Sequence, residues 1–180
     1  MKKEQKNKII IADPYSEEAQ RNARKSPLYS QIASSVTKCP FCDLKEKYII
    51  FQTQEAVLTV NLFPYIDGHL MVIPKRHIEK MEDFLKEDWQ DCRELISLGI
   101  AILKEGLQVQ DVNVLYREGT KKSGSSLKHL HIHLLPIKSG FLEGDTNGFA
   151  YKYQDLDFSP LEMAEKLREV RQDIQEKCKK

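Results

Sequence analysis

The chain has almost no net charge: 28 Lys and Arg stand against 27 Asp and Glu, giving +1 at neutral pH. That balance excludes a broad basic surface for nucleic acid or anionic lipid, so an anionic ligand has to be held by local groups. No apolar run approaches the ~18 residues of a membrane span. The N-terminal "IIIA" is too short for the apolar stretch of a signal peptide, which makes the cytoplasm the expected location. No internal repeat and no low-complexity linker is present. Cysteine is scarce: Cys39 and Cys42 form a C-x-x-C pair, whereas Cys92 and Cys178 stand apart. In a reducing compartment such a pair points to a metal or redox element rather than a structural disulfide. Histidine is nearly as scarce, with five in the chain, yet three of them fall within "KHLHIHLLP", residues 128–136.

Those three alternate with leucine and isoleucine. Period-two alternation is a strand pattern, because successive side chains point to opposite faces. His129, His131 and His133 are therefore expected on one face, with Leu130, Ile132 and Leu134 in a core. A helix would scatter i, i+2 and i+4 around its cylinder.

At 180 residues the chain suits one domain with a sizeable core. Residues 1–38 are polar and read as an appendage; 39–180 read as the domain with a C-terminal helical extension. Segments 48–54 and 56–63 are β-rich and nearly contiguous, as in a hairpin. Pro64 and the Asp67–Gly68 pair interrupt, and 69–75 reads as a third strand. From Met81 to Lys104 the apolar residues recur at helical spacing, with Gly106 as the expected stop. Segments 112–118 and 128–136 complete five strands. Ser159, Pro160 and Glu162 are placed as N-cap, N1 and N3 of a helix over 159–177. The expected fold is α+β: a five-stranded antiparallel sheet, one long connecting helix and a C-terminal helix.

The loop "GTKKSGSSLK" precedes the histidines. Gly119 and Gly124 allow close backbone approach, and Ser123, Ser125 and Ser126 carry hydroxyls, a combination suited to phosphate. Imidazole is a competent nucleophile near neutral pH. A phosphate cradle beside such a group suggests phosphoryl or nucleotidyl transfer.

"HLHIHLL" together with "NLFPYIDGHLMVIPKRHIEKMEDF" (61–84) resembles the histidine triad (HIT) family. The likeness is strongest to its Fhit-like dinucleoside polyphosphate hydrolases and to bacterial diadenosine tetraphosphate phosphorylases, and it runs from about Cys39 to Pro136. The resemblance implies that His131 is the nucleophile at the α-phosphorus, that His133 contacts the phosphate, and that His129 orients the site. It implies Ser125 and Ser126 at the phosphate and Asn61 at the ribose hydroxyls. Leu62 and Phe63 are implied at the base, though core packing accounts for either equally well. It also implies a homodimer and a nucleotide substrate. Three positions depart from the pattern: Arg117 stands where Asn is frequent, Ser125 where Gln is, and Ile137 where Arg usually follows the proline. Arg117 either supplies charge to a polyphosphate or is a solvated strand residue; Lys128 is a further candidate for the phosphate.

The Cys39–Cys42 pair needs two more ligands for a tetrahedral zinc site. By resemblance to some histidine triad proteins and to galactose-1-phosphate uridylyltransferases, these are His77 and His129, with zinc in a structural role. His69, in the family's "GH" pair, reads as structural. Two rival readings remain open at this level: a catalytic zinc held by the three triad histidines, and a nucleotide-binding regulator without turnover.

Overall fold

The computed structural model describes residues 13, 15–25, 28–119, 127–139, 142–145, 148–151 and 153–177. Five strands form one antiparallel sheet in the order β1-β2-β3-β5-β4. Their ranges are β1 Ile49–Gln52, β2 Ala56–Val60, β3 Leu70–Pro74, β4 Val112–Tyr116 and β5 Ile132–Pro136. The hairpin β1–β2 and the β2–β3 pairing are sequential, while β5 inserts between β3 and β4. The long helix α3, Lys86–Leu107, provides the crossover from β3 to β4. A two-stranded ribbon, β6 Leu142–Asp145 with β7 Gly148–Tyr151, leads to the C-terminal helix α4, Pro160–Lys177. Two short helices, α1 Glu17–Asn22 and α2 Leu28–Ser35, precede the sheet.

Alternation within the strands divides the sheet into two faces. Leu58, Leu70, Val72, Ile132 and Leu134 share one core with Leu95, Ile102 and Leu103 of α3 and Met163, Ala164 and Leu167 of α4. Leu58, Leu70 and Leu134 are fully buried, each contributing roughly 1.5–3 kcal/mol relative to exposure. The register Thr59↔Met71 and Met71↔His133 sets the intervening side chains on the opposite face. There Ala19, Ala23, Leu28 and Ile32 of the N-terminal helices form their own cluster with Tyr29 and Phe63. The cleft that His131 and His133 enter lies on this second face.

Several expected boundaries shift. The strand expected over 128–136 is regular only from Ile132, so His129 and His131 lie in the approach to it. Backbone pairing of Leu130 N–H with the Ile78 carbonyl (2.7 Å) fixes that approach. The helix expected to stop at Gly106 continues one residue further, and Gln108 takes the left-handed cap (φ 54°). Gly106 serves packing instead: a Cβ there would lie 2.9 Å from Val170 Cγ2 of α4. Gly68 does need its conformation, with φ 83° and a Cβ position only 2.2 Å from Leu107. The capping box of α4 is as expected: Ser159 N–H donates to Glu162 Oε2 (2.7 Å) and Glu162 N–H to Ser159 Oγ (3.3 Å).

Candidate functional site

All three triad histidines are buried, and Leu130, Ile132 and Leu134 between them point into the main core. Their side-chain partners give each ring a different job. His131 Nδ1 lies 2.8 Å from the His129 carbonyl. A carbonyl only accepts, so the proton is on Nδ1 and the Nε2 lone pair is free. Burial holds the ring below the ordinary histidine range, offset by the His129 carbonyl and reinforced by Arg117 and Arg24. The ring is thus neutral near pH 7, as a nucleophile requires.

His133 is fixed from behind. Tyr65 N–H donates to His69 Nδ1 (3.3 Å), so His69 carries its proton on Nε2. That nitrogen is 2.9 Å from His133 Nδ1 and donates to it. His133 consequently keeps its own proton on Nε2. Asn61 Nδ2 also lies 3.3 Å from His69 Nε2; with both atoms protonated this is packing rather than a bond. Desolvation pushes His133 down to about 2, with His131, Arg117 and Arg24 adding to the effect. Desolvation and His133 likewise hold His69 well below its usual value.

His129 turns the other way. Its Nε2–H donates to the Pro74 carbonyl (2.9 Å), leaving Nδ1 towards Cys39 Sγ (3.3 Å) and Cys42 Sγ (3.6 Å). His77 Nδ1 lies 3.2 Å from Cys42 Sγ. The four donor atoms all lie within 4.8 Å of one another. A tetrahedral ion with two sulfur and two nitrogen ligands has donor edges of about 3.3–3.8 Å, so this set fits a metal ion. Desolvation and the neighbouring Cys39 raise the Cys42 thiol above its usual value, an effect that a bound cation reverses. The cluster joins the turn Pro40–Cys42, the segment after β3 and the approach to β5. Through the His129 carbonyl it also sits one hydrogen bond from the His131 ring.

His131 and His133 open into a cleft walled by Tyr15, Tyr29, Ile32, Phe41, Leu62 and Phe63, with Asn61, Arg24 and Arg117 as its other polar residues. Phe63 packs edge-on against Tyr29 (5.6 Å between centroids), and Phe41 lies 5.0 Å from His131. The Asn61 side-chain oxygen accepts from Phe63 N–H (2.8 Å). Asn61, Leu62, Phe63, His131 and His133 therefore meet in one place, while Cys39, Cys42, His77 and His129 meet in another. Ser125 and Ser126 lie outside the described residues. Lys128 is exposed and pairs with Glu79 (3.4 Å) away from the cleft lining.

Sequence reasoning did not find Arg24, Tyr15, Tyr29 or Ile32, because residues 1–38 read as a polar appendage. A signal was there: Tyr15, Ala19, Ala23, Leu28 and Ile32 recur every four or five residues, near helical period. His69, expected to be structural, lies outside the cleft lining and donates to His133 Nδ1 from behind it.

Residues 44–140 match the HIT domain model. Among curated proteins, an AP-4-A phosphorylase of Mycobacterium tuberculosis is 29% identical over 108 residues, covering 60% of this chain and 55% of that one. A bis(5'-adenosyl)-triphosphatase of Dictyostelium discoideum is 28% identical over 95 residues, covering 53% and 63% respectively. The chain thus spans less than two thirds of either relative's length. Among solved structures, a zinc-bound histidine triad family protein from Mycobacterium smegmatis has a similar fold. It superposes with a TM-score of 0.61 at 22% identity, over 81% of this chain and 99% of that one.

Proposed function

Because this chain belongs to the HIT domain family, we propose that it cleaves a dinucleoside polyphosphate, or a related nucleotide conjugate, at the α-phosphate through a nucleotidyl-histidine. The observation that carries this reading is the His131 tautomer: its Nδ1–H is committed to the His129 carbonyl, and its bare Nε2 belongs to the cleft. In the first step Nε2 bonds to the α-phosphorus while the bond from phosphorus to the bridging oxygen breaks. The displaced group leaves with the electron pair of that bond. In the second, water or inorganic phosphate attacks the same phosphorus and the P–N bond breaks, restoring the neutral ring. His133, with its proton on Nε2, donates to phosphate oxygen as negative charge develops.

The aromatic wall of Tyr29 and Phe63 suits the base, Leu62 completes it, and Asn61 suits the ribose hydroxyls. Ser125 and Ser126 are proposed at the phosphate. We assign zinc to Cys39, Cys42, His77 and His129. Its chemistry when bound is structural: it ties the Cys39–Cys42 turn to the histidine segment and leaves His131 free. Reduced thiols at that site are consistent with a cytoplasmic protein; among the described residues no helix is long and apolar enough to cross a membrane. The proposed division of the chain makes 39–180 the catalytic domain and 1–38 an extension whose Tyr29 and Ile32 finish the cleft.

The test is product analysis with diadenosine tri- and tetraphosphate, with and without inorganic phosphate, on the wild type and on His131→Asn. Turnover that disappears in the variant supports the reading, and ADP formed only with phosphate present identifies a phosphorylase. Turnover in His131→Asn within a few-fold of wild type would refute it.

A further inference from the structure

Two arginines in the cleft have no carboxylate partner among the described residues. Arg24, in the short 3-10 turn Ala23–Lys25, donates from Nε to the Phe63 carbonyl (2.7 Å) and from a terminal nitrogen to Tyr65 Oη (3.0 Å). Arg117, just past β4, donates to the same Tyr65 Oη at 3.3 Å. The Arg24 guanidinium also lies 3.6 Å from the Tyr29 ring centroid and 4.2 Å from that of Tyr65. Both side chains are half-buried and both line the cleft that holds His131 and His133.

Two positive charges that converge on one neutral hydroxyl repel each other, and partial burial weakens the screening that would relieve them. Half-buried Arg21, by contrast, finds the carboxylate of Glu162 at 2.9 Å. Here Tyr65 only orients the pair, and it is itself held by stacking on His69 and Tyr153. An α-phosphodiester carries one negative charge, whereas the cleft presents two guanidiniums. Guanidinium is also the side chain whose forked donors match phosphate oxygens.

We propose that Arg24 and Arg117 form a clamp for the phosphates beyond the α-phosphate, making the polyphosphate chain the feature this cleft selects. The inference rests on the nucleotidyl-transfer reading for its catalytic consequence. Arg24 gives the N-terminal segment, outside residues 44–140 of the domain match, a specificity role: it brings one half of the clamp to a cleft whose other half comes from the sheet.

The experiment compares kcat/KM for diadenosine tetraphosphate with that for the p-nitrophenyl ester of AMP, which has a single phosphate. In Arg24→Gln and in Arg117→Gln the ratio of the two is expected to fall at least tenfold, with a smaller fall for diadenosine triphosphate. A parallel calorimetric titration of His131→Asn with inorganic tripolyphosphate should show binding at least tenfold tighter than inorganic phosphate. That preference should vanish when both arginines are also replaced. Equal losses on both nucleotide substrates, or no preference for tripolyphosphate, would overturn the clamp. If the wild type turns over neither nucleotide, the catalytic reading fails, and the tripolyphosphate titration still decides the clamp. Should Arg24→Gln not fold, Arg24→Lys, which keeps the charge but not the fork, and Arg117→Gln carry the comparison.

Discussion

A buried imidazole that resists its proton makes stability depend on pH, and the two most depressed in this site lie away from the Cys39–Cys42 cluster. His133 is pushed down to about 2 and His69 lies well below the usual value, whereas both titrate near 6.5 once unfolded. The unfolded chain therefore takes up protons that the folded chain refuses. The stabilisation is fully present above about pH 6.5 and is lost as pH falls below it, at up to ~1.4 kcal/mol per pH unit for each ring. Depressed carboxylates such as Glu118 and Glu162 add the same sign of dependence only at lower pH. Denaturant melts between pH 7 and 5 should show this slope, and His133→Asn should make it shallower by about one proton; an unchanged slope would contradict the burial argument. The relay behind His133 has its own test. His69→Ala leaves His133 Nδ1 without its donor, and kcat should fall about tenfold or more, the worth of one buried hydrogen bond. At this scale the triad was legible because alternation is a local signal. The tautomers were not, since they depend on Pro74, Tyr65 and His69, which only the fold brings near.

Elements show the same division between local and distant causes. All five strands and both long helices could be read from periodicity, and the capping box of α4 from three residues. The two N-terminal helices escaped because each is short and exposes more polar surface than it buries, so its pattern is diluted. The β6–β7 ribbon is likewise too brief to carry a period. Gly106 reads as a stop for a related reason: a stop and a close approach look alike in sequence. Gly99 is a second close approach, since its Cβ position lies 2.4 Å from Leu134 Cδ1 and 3.2 Å from Leu58 Cδ1 across the helix–sheet contact. Gly99→Val should destabilise by about 1–3 kcal/mol through overpacking, more than any gain in helix propensity, which is below ~0.5 kcal/mol. A thermal melt of the variant checks this, and an unchanged midpoint would argue against so close a packing of α3. The Cys39, Cys42, His77 and His129 cluster ties the Cys39–Cys42 turn, which among the described residues no strand pairing holds, to the segments flanking β3 and β5. Purified protein should contain about one zinc per chain, retained in His131→Asn and lost in Cys39→Ser, with a lower melting temperature once stripped. Zinc retained in Cys39→Ser but lost in His131→Asn would favour a metal held by the triad itself.

For the molecule as a whole, the two sheet faces divide the work: α3 and α4 cover one, while the other carries the cleft and the N-terminal helices close it. The expected homodimer remains a proposal, supported by β4 lying at the sheet edge with Val114 47% exposed on it. Bare edges of this kind favour a partner. Light scattering should give twice the chain mass for the wild type and a shift towards monomer for Val114→Lys, whereas a monomeric wild type would remove the proposal. The proposed activity turns on one covalent bond at one nitrogen. Wild-type protein mixed rapidly with diadenosine tetraphosphate, quenched in alkali and weighed intact should carry a single adenylyl group, mapped to His131 and absent in His131→Asn. Turnover without that adduct, or an adduct that persists when His131 is replaced, would contradict it.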